Sequence, residues 1–274
     1  MEGGLRSARP EHSLRPEGRG DLHAWAGGLV ASLLGLVDAV IPCGCAICRA
    51  AVAADGPPLC GLCASRVAQV PPPLCPRCGL TRVIPVPGPG DCSECHGWPA
   101  SLRRAASACL HEGSAAELVR GLKYRGWTGL ADYMGQLMLP AARRLGGEAR
   151  PILVPVPLAP ARRRERGFNQ AELLAEALSR LTGWTVSPLL QRSRGGPALA
   201  RLGRRQREQV TAGAYALGPG SADLTRTQIR VLIVDDVITT GATGVACAEA
   251  LDAGGAECLG IVSFARTNPL AEHT

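Results

Sequence analysis

The sequence predicts an α/β protein, with a parallel sheet flanked by helices and preceded by a small cysteine-rich module. Three observations carry that expectation. IRVLIVDDV (residues 229–237) and ECLGIVSFAR (257–266) are nearly unbroken apolar runs, as in strands buried on both faces. Stretches of helical period alternate with such runs, the arrangement that builds a parallel sheet covered by helices. Eight of the twelve cysteines fall into four Cys-x-x-Cys pairs between residues 43 and 100. That stretch is rich in proline (GPPL, VPPPL) and has too few large apolar side chains to form a core alone.

The order along the chain follows from composition. Residues 1–22 (MEGGLRSARPEHSLRPEGRGDL) hold Arg, Gly and Pro with little to bury, which predicts a disordered basic tail. Residues 23–42 include the apolar run AWAGGLVASLLGLVDAVIP. A signal peptide or membrane anchor competes here with a helix packed on the body of the protein. Asp38, three glycines and Trp25 interrupt the run, and the thiol-rich stretch after it fits poorly with export, so a packed helix and a cytoplasmic protein are expected. Residues 43–100 form the metal module, and residues 101–274 the α/β domain.

Within that domain SAAELVRGLKYRG reads as an amphipathic helix and ADYMGQLMLPAARRLG as a second one, interrupted near Pro140. PILVPVP (151–157) is a short strand closed by prolines, and ARRRERGFNQ a basic loop. AELLAEALSRLTG is a helix with a terminal glycine, and WTVSPLL another strand candidate. An arginine-rich stretch without period covers residues 192–207. GATGVACAEALDAGG is the helix between the two long apolar strands.

Net charge and cysteine spacing bound the function. A formal charge of +7 favours anionic partners such as phosphates or nucleic acid, while 3% aromatic content leaves few residues to stack on exposed bases. The pairs Cys45/Cys48, Cys60/Cys63, Cys75/Cys78 and Cys92/Cys95 supply ligands for two tetrahedral zinc sites. Sequential and interleaved pairing are both compatible with the spacing. Closed all-thiolate sites imply a folding role, with redox pairs as the alternative. Cys43 stands close enough to compete as a ligand, whereas Cys109, Cys247 and Cys258 read as small core residues.

VLIVDDVITTGAT (231–243) concentrates the chemistry. A strand ends in Asp235 and Asp236, then turns through Thr239, Thr240, Gly241, Ala242 and Thr243 into a helix whose first amides lack internal partners. Hydroxyls and free amides there suit a phosphate. The lysine of a Walker loop is missing. Carboxylates at a buried strand end need solvent or a polar ligand, and vicinal sugar hydroxyls or a hydrated divalent cation would satisfy them.

This segment resembles, throughout, the thirteen-residue phosphoribosyl pyrophosphate (PRPP) motif of type I phosphoribosyltransferases. The resemblance implies ribose hydroxyls on Asp235 and Asp236 and the 5′-phosphate on Thr239 to Thr243. VPVPLAPARRRERGFNQAELLA (154–175), LKYRG (122–126) and the preceding thiol pairs are similar to the ComF family, also known as GntX-like amidophosphoribosyltransferases. The similarity spans roughly residues 29–266. It implies a zinc module joined to a phosphoribosyltransferase-like domain, and an association with competence for DNA uptake.

It also implies a pyrophosphate side formed by Val156 and Pro157, with Arg162, Arg163, Arg164 and Arg166 nearby and Mg²⁺ accompanying PRPP. Asn169 is read as a helix cap or a ligand contact, and Lys123 and Tyr124 as residues near the site or a plain helix end. The stretch before GAY (213–215) departs from the family pattern, with Leu199 near an expected Gln and Val210 near an expected Asn. Two activities are therefore expected to compete: phosphoribosyl transfer to an unidentified acceptor with pyrophosphate release, and a non-catalytic or PRPP-sensing role in DNA uptake through single-stranded DNA or a helicase partner. A metabolic transferase without a DNA role is the third reading.

Overall fold

The computed structural model describes residues 44–82, 92–192, 213–221 and 229–268. The expected tail, the apolar helix at 23–42, Cys43, most of the arginine-rich stretch, Leu199 and Val210 lie outside the described residues. Among the described residues no helix is long and apolar enough to cross a membrane.

A four-stranded parallel sheet organises the α/β part, in the order β1-β6-β5-β2, from β1 (Ala105–Leu110), β2 (Ile152–Pro155), β5 (Arg230–Ile238) and β6 (Glu257–Arg266). A separate antiparallel pair joins β3 (Leu190–Arg192) to β4 (Tyr215–Leu217). Parallel neighbours cannot be joined by tight turns, so helices make the crossovers. α1 (Gly61–Ser65) lies in the cysteine-rich part; α2 (Gly113–Tyr124) and α3 (Leu130–Gly146) connect β1 to β2, and α6 (Ala242–Ala253) connects β5 to β6. α4 (Pro160–Arg166) and α5 (Gln170–Thr182) follow β2.

Alternation along β5 divides the core into two layers. Leu232 and Val234 pack with Leu118, Met134, Met138, Leu174 and Phe264, beneath α2, α3 and α5. Val231 and Ile233 pack with Cys247, Leu251 and Ile261, beneath α6. All four β5 residues are fully buried, which is why this strand reads as a continuous apolar run. Strand β1 (AASACL) escapes that signature: only Leu110 is a large apolar residue, and its Ser107 meets Ser263 across the β1/β6 pair at 2.7 Å between hydroxyls.

Two sequence expectations need correction. Helix α3 runs through Pro140 without a break. Pro140 and Gln136, whose carbonyl loses its helical partner, are both exposed, so water can satisfy it while Met134, Met138, Ala142 and Leu145 anchor the buried stripe. Pro140→Ala should therefore stabilise the protein, by about 1–3 kcal/mol, read as a raised Tm in thermal denaturation. The second correction concerns ARRRERGFNQ, expected as a loop, where residues Pro160–Arg166 form α4, with Pro in the first turn and Gly167 at φ +79° ending it.

Helices α3 and α5 approach closely at Gly135, where an added Cβ would lie 2.7 Å from Ala177 Cβ. Gly135→Val should cost about 1–3 kcal/mol by forcing them apart, measurable in urea denaturation.

Candidate functional site

The carboxyl edge of the sheet gathers the expected phosphate residues around a cavity of about 330 Å³. Open α/β sheets bind ligands at this edge. Asp235, Thr239, Thr240, Gly241, Ala242 and Thr243 all line it, with His111, Lys123, Ile261 and Thr267 completing the wall. The turn is local in origin. Gly241 takes φ +83°, the Thr240 hydroxyl accepts from the Ala242 amide at 3.3 Å, and the first helical bond runs from the Val245 amide to Gly241 O at 2.9 Å. The Thr243 and Gly244 amides thus sit in the first turn of α6, before helical partners begin.

Neighbouring strand ends close the rim. The Thr267 amide donates to Ile238 O at 3.0 Å, and the His111 amide to Arg266 O at 2.7 Å. From the β3–β4 pair comes Tyr215, buried in the same apolar layer as Ile238 and Ala246.

The two aspartates differ. Asp235 faces the cavity, whereas Asp236, 3% exposed, is engaged by Lys123, whose Nζ lies 2.6 Å from Asp236 Oδ2. The Asp236 amide donates to Asp235 Oδ1 at 2.8 Å. Burial pushes Asp235 well above the usual carboxylate range, the charge of Asp236 adds to this, and Lys123 opposes it only in part. For Asp236 burial acts in the same direction but Lys123 prevails and holds it below that range. Lys123 is correspondingly raised, Asp236 outweighing burial. His111 is lowered by burial and by the Lys123 cation.

The residues expected on the pyrophosphate side do not line this cavity. Val156 is buried, its amide donating to Val234 O at 3.0 Å and its carbonyl accepting from Asn169 Nδ2 at 3.0 Å. Asn169 also caps α5 through the Ala171 amide at 3.1 Å, so its capping role is what the geometry shows. Pro157 and Arg163 line a separate depression with Glu172 and Arg192, and Arg163 pairs with Glu172 at 2.5 Å. Arg162 is half-buried on α4. Arg166 donates to Gln170 at 3.0 Å, lies 5.2 Å from the Tyr124 ring centroid and acts electrostatically on Asp236. Arg166, Tyr124, Lys123 and Asp236 thus form one group beside the cavity.

His111 and Thr267 were missing from the sequence-based site. Neither sits in a motif: each reaches the cavity because it follows a strand, β1 or β6, that ends at the same sheet edge.

The cysteines segregate sequentially, which resolves the pairing. Cys45, Cys48, Cys60 and Cys63 form one group and Cys75, Cys78, Cys92 and Cys95 another, with sulfurs within 4.8 Å of one another. Zn–S bonds of about 2.3 Å in a tetrahedron imply sulfur separations of about 3.8 Å. The Cys75/Cys95, Cys78/Cys92 and Cys48/Cys60 pairs stand at 3.8, 3.7 and 3.5 Å, so both donor sets fit zinc. Burial disfavours ionisation of Cys75, but the amides of Cys78 and Arg77 bring it down to about 7; Cys45 is similarly lowered to about 6 by the amides of Cys48, Cys60 and Ile47. Cys109, Cys247 and Cys258 are buried away from both groups, as expected of core residues.

Each group begins with a knuckle of the same design. Arg49 and Gly79, each following the second cysteine, adopt φ +67° and +68°, and their amides return to Cys45 O and Cys75 O at 3.0 and 2.9 Å. Left-handed backbone suits Gly79, whereas Arg49 is a non-glycine exception whose guanidinium lies 5.0 Å from the Trp127 ring.

No protein-family model matches the chain. A DNA utilization protein YhgH of Salmonella typhimurium is 31% identical over 198 residues, covering 70% of this chain and 83% of that protein. Competence protein F of Haemophilus influenzae is 35% identical over 112 residues, 39% of this chain and 42% of its own. Competence protein ComFC of Bacillus subtilis is 26% identical over 161 residues, 56% and 62%. The chain belongs to the ComF-like family. In this ComF-like protein the two four-cysteine groups precede the parallel sheet, and the acid-threonine motif turns at the sheet's carboxyl edge.

Proposed function

We propose that the cavity at the end of β5 binds PRPP, and that the protein transfers its phosphoribosyl group to a nitrogen acceptor with release of pyrophosphate. What supports this is the lining: the full turn from Thr239 to Thr243 and Asp235 share one cavity with a basic side chain, Lys123. In this reading the first-turn amides and threonine hydroxyls hold the 5′-phosphate. Asp235 accepts from the ribose hydroxyls, and Lys123 fixes Asp236 behind it. Mg²⁺ carried with PRPP would offset charge on the departing pyrophosphate.

Asp235 and Asp236 call for separate tests, because Asp236→Asn also releases Lys123. Calorimetric titration of PRPP with Mg²⁺ should show Asp235→Asn binding at least about ten-fold more weakly than the wild type. No heat of binding in the wild type overturns the proposal. Because burial raises Asp235, ionising it for a Mg²⁺-bound ligand should release a proton on binding. Titrations in buffers of different ionisation enthalpy would reveal that release, increasing as pH falls below the raised pKa.

A DNA-uptake role is the second reading, favoured by the names of the relatives and by the basic side chains Arg120, Arg125, Arg163 and Arg164, all exposed. Single-stranded DNA held by such charges should bind progressively more weakly as salt rises. Salt-independent binding, or none, would exclude it. A cytoplasmic location is part of both readings.

A further inference from the structure

The second thiol group and the phosphate turn meet at one contact. Trp98, three residues past Cys95, lays its indole against Gly241, where an added Cβ would stand 2.4 Å from Trp98 Cζ2. Gly241 is thus required twice, by its φ of +83° and by the indole pressed on it.

Trp98 is itself held from the thiol side. Its amide donates to Cys95 O at 3.1 Å, and its carbonyl accepts from Arg77 Nη2 at 2.8 Å. Arg77 lies inside the Cys75/Cys78 knuckle and also donates to Cys95 O at 3.2 Å and Pro99 O at 2.9 Å. One arginine therefore laces the two knuckles and the segment carrying the indole.

A second tie runs through Arg266, 1% exposed, whose Nη1 donates to Cys78 O at 2.6 Å. The residue after it, Thr267, lines the phosphate cavity. The sulfurs of this group share an apolar layer with Trp98, Ile238 and Ala246, on either side of the turn. Cys45 and Cys63 of the other group instead pack in the layer under α2 and α3.

We propose that Trp98 is a positioning residue for the phosphate turn, and that the turn holds its shape only while the second four-cysteine group is metal-bound. Loss of the metal leaves knuckles 75–78 and 92–95 tied mainly by the hydrogen bonds of Arg77, so the segment carrying the indole loosens. Residues Thr239 to Gly241 then keep as local restraints the Thr240 hydroxyl bond at 3.3 Å and the Val245 amide bond to Gly241 O at 2.9 Å. The ligand consequence rests on the PRPP reading above; the structural consequence does not.

Hydrogen exchange on the zinc-loaded chain separates the two. Trp98→Ala with unchanged metal content should exchange its 238–246 amides at least about ten-fold faster, while α3 keeps its protection. Cys95→Ser should do the same, Cys48→Ser should not, and Trp98→Phe should restore most of the protection. Unchanged exchange at the turn in Trp98→Ala overturns the proposal. If Trp98→Ala does not fold, Trp98→Phe decides: the tryptophan emission change of the wild type on stepwise chelation of zinc should lose most of its amplitude, and full retention overturns the proposal. PRPP with Mg²⁺ should bind Trp98→Ala at least about ten-fold more weakly and Trp98→Phe nearly as the wild type. A wild type that fails to bind PRPP defeats the transferase reading and leaves the exchange result standing.

Discussion

Lys123→Ala should destabilise this protein by about 3–5 kcal/mol, because it leaves the Asp236 carboxylate buried without its cation. The pair is well inside the fold, with side chains 21% and 5% exposed. Asp236→Asn combined with Lys123→Met should recover part of that loss, since both charges then disappear together. Urea denaturation of the wild type, Lys123→Met, Asp236→Asn and the double variant forms the double-mutant cycle. The pH dependence has two limbs. Asp236 has a folded pKa below its unfolded value, so its contribution is present above the ordinary carboxylate range and is lost as pH falls through the depressed value. Lys123 is raised, so its contribution is present below its ordinary value and is lost as pH rises through the raised one. Removing Lys123 should abolish both limbs of this contribution, and an unchanged acid limb in Lys123→Met would refute the coupling.

The second large effect concerns metal. Structural zinc contributes on the order of 10 kcal/mol in small zinc domains, comparable to the whole stability of an ordinary domain. Cys78→Ser should therefore lower Tm sharply. Cys78 is fully buried, its carbonyl is bound by Arg266, and an added Cβ at the adjacent Gly79 would stand 2.8 Å from Ala105 O, at the start of β1. Cys48 is exposed, so Cys48→Ser should cost less and act mainly on the first group. Thermal denaturation with and without a chelator, alongside zinc content per chain, would rank the two; equal Tm losses would contradict the difference in packing.

Some of this was legible in the residues alone. β5 and β6 announce themselves because both faces are buried and nearly every position is apolar. The phosphate turn is local, since strand, turn and helix start are contiguous and Gly241 supplies the backbone conformation. β1 was hidden because Ala, Ser and Cys fill it, and α4 because its arginines carry no apolar stripe. Pro140 misled because the rule against internal proline assumes a buried partner carbonyl, whereas Gln136 faces outward.

The sequence by itself determined the α/β class, the cysteine pairs and the acid-threonine turn, all set by spacing within a few residues. Only the tertiary structure decided that the thiols group sequentially, that Asp236 faces Lys123 while Asp235 faces the cavity, and that Trp98 rests on Gly241. Each of these joins residues far apart in the chain, where sheet order and side-chain packing, not local preference, fix which atoms meet.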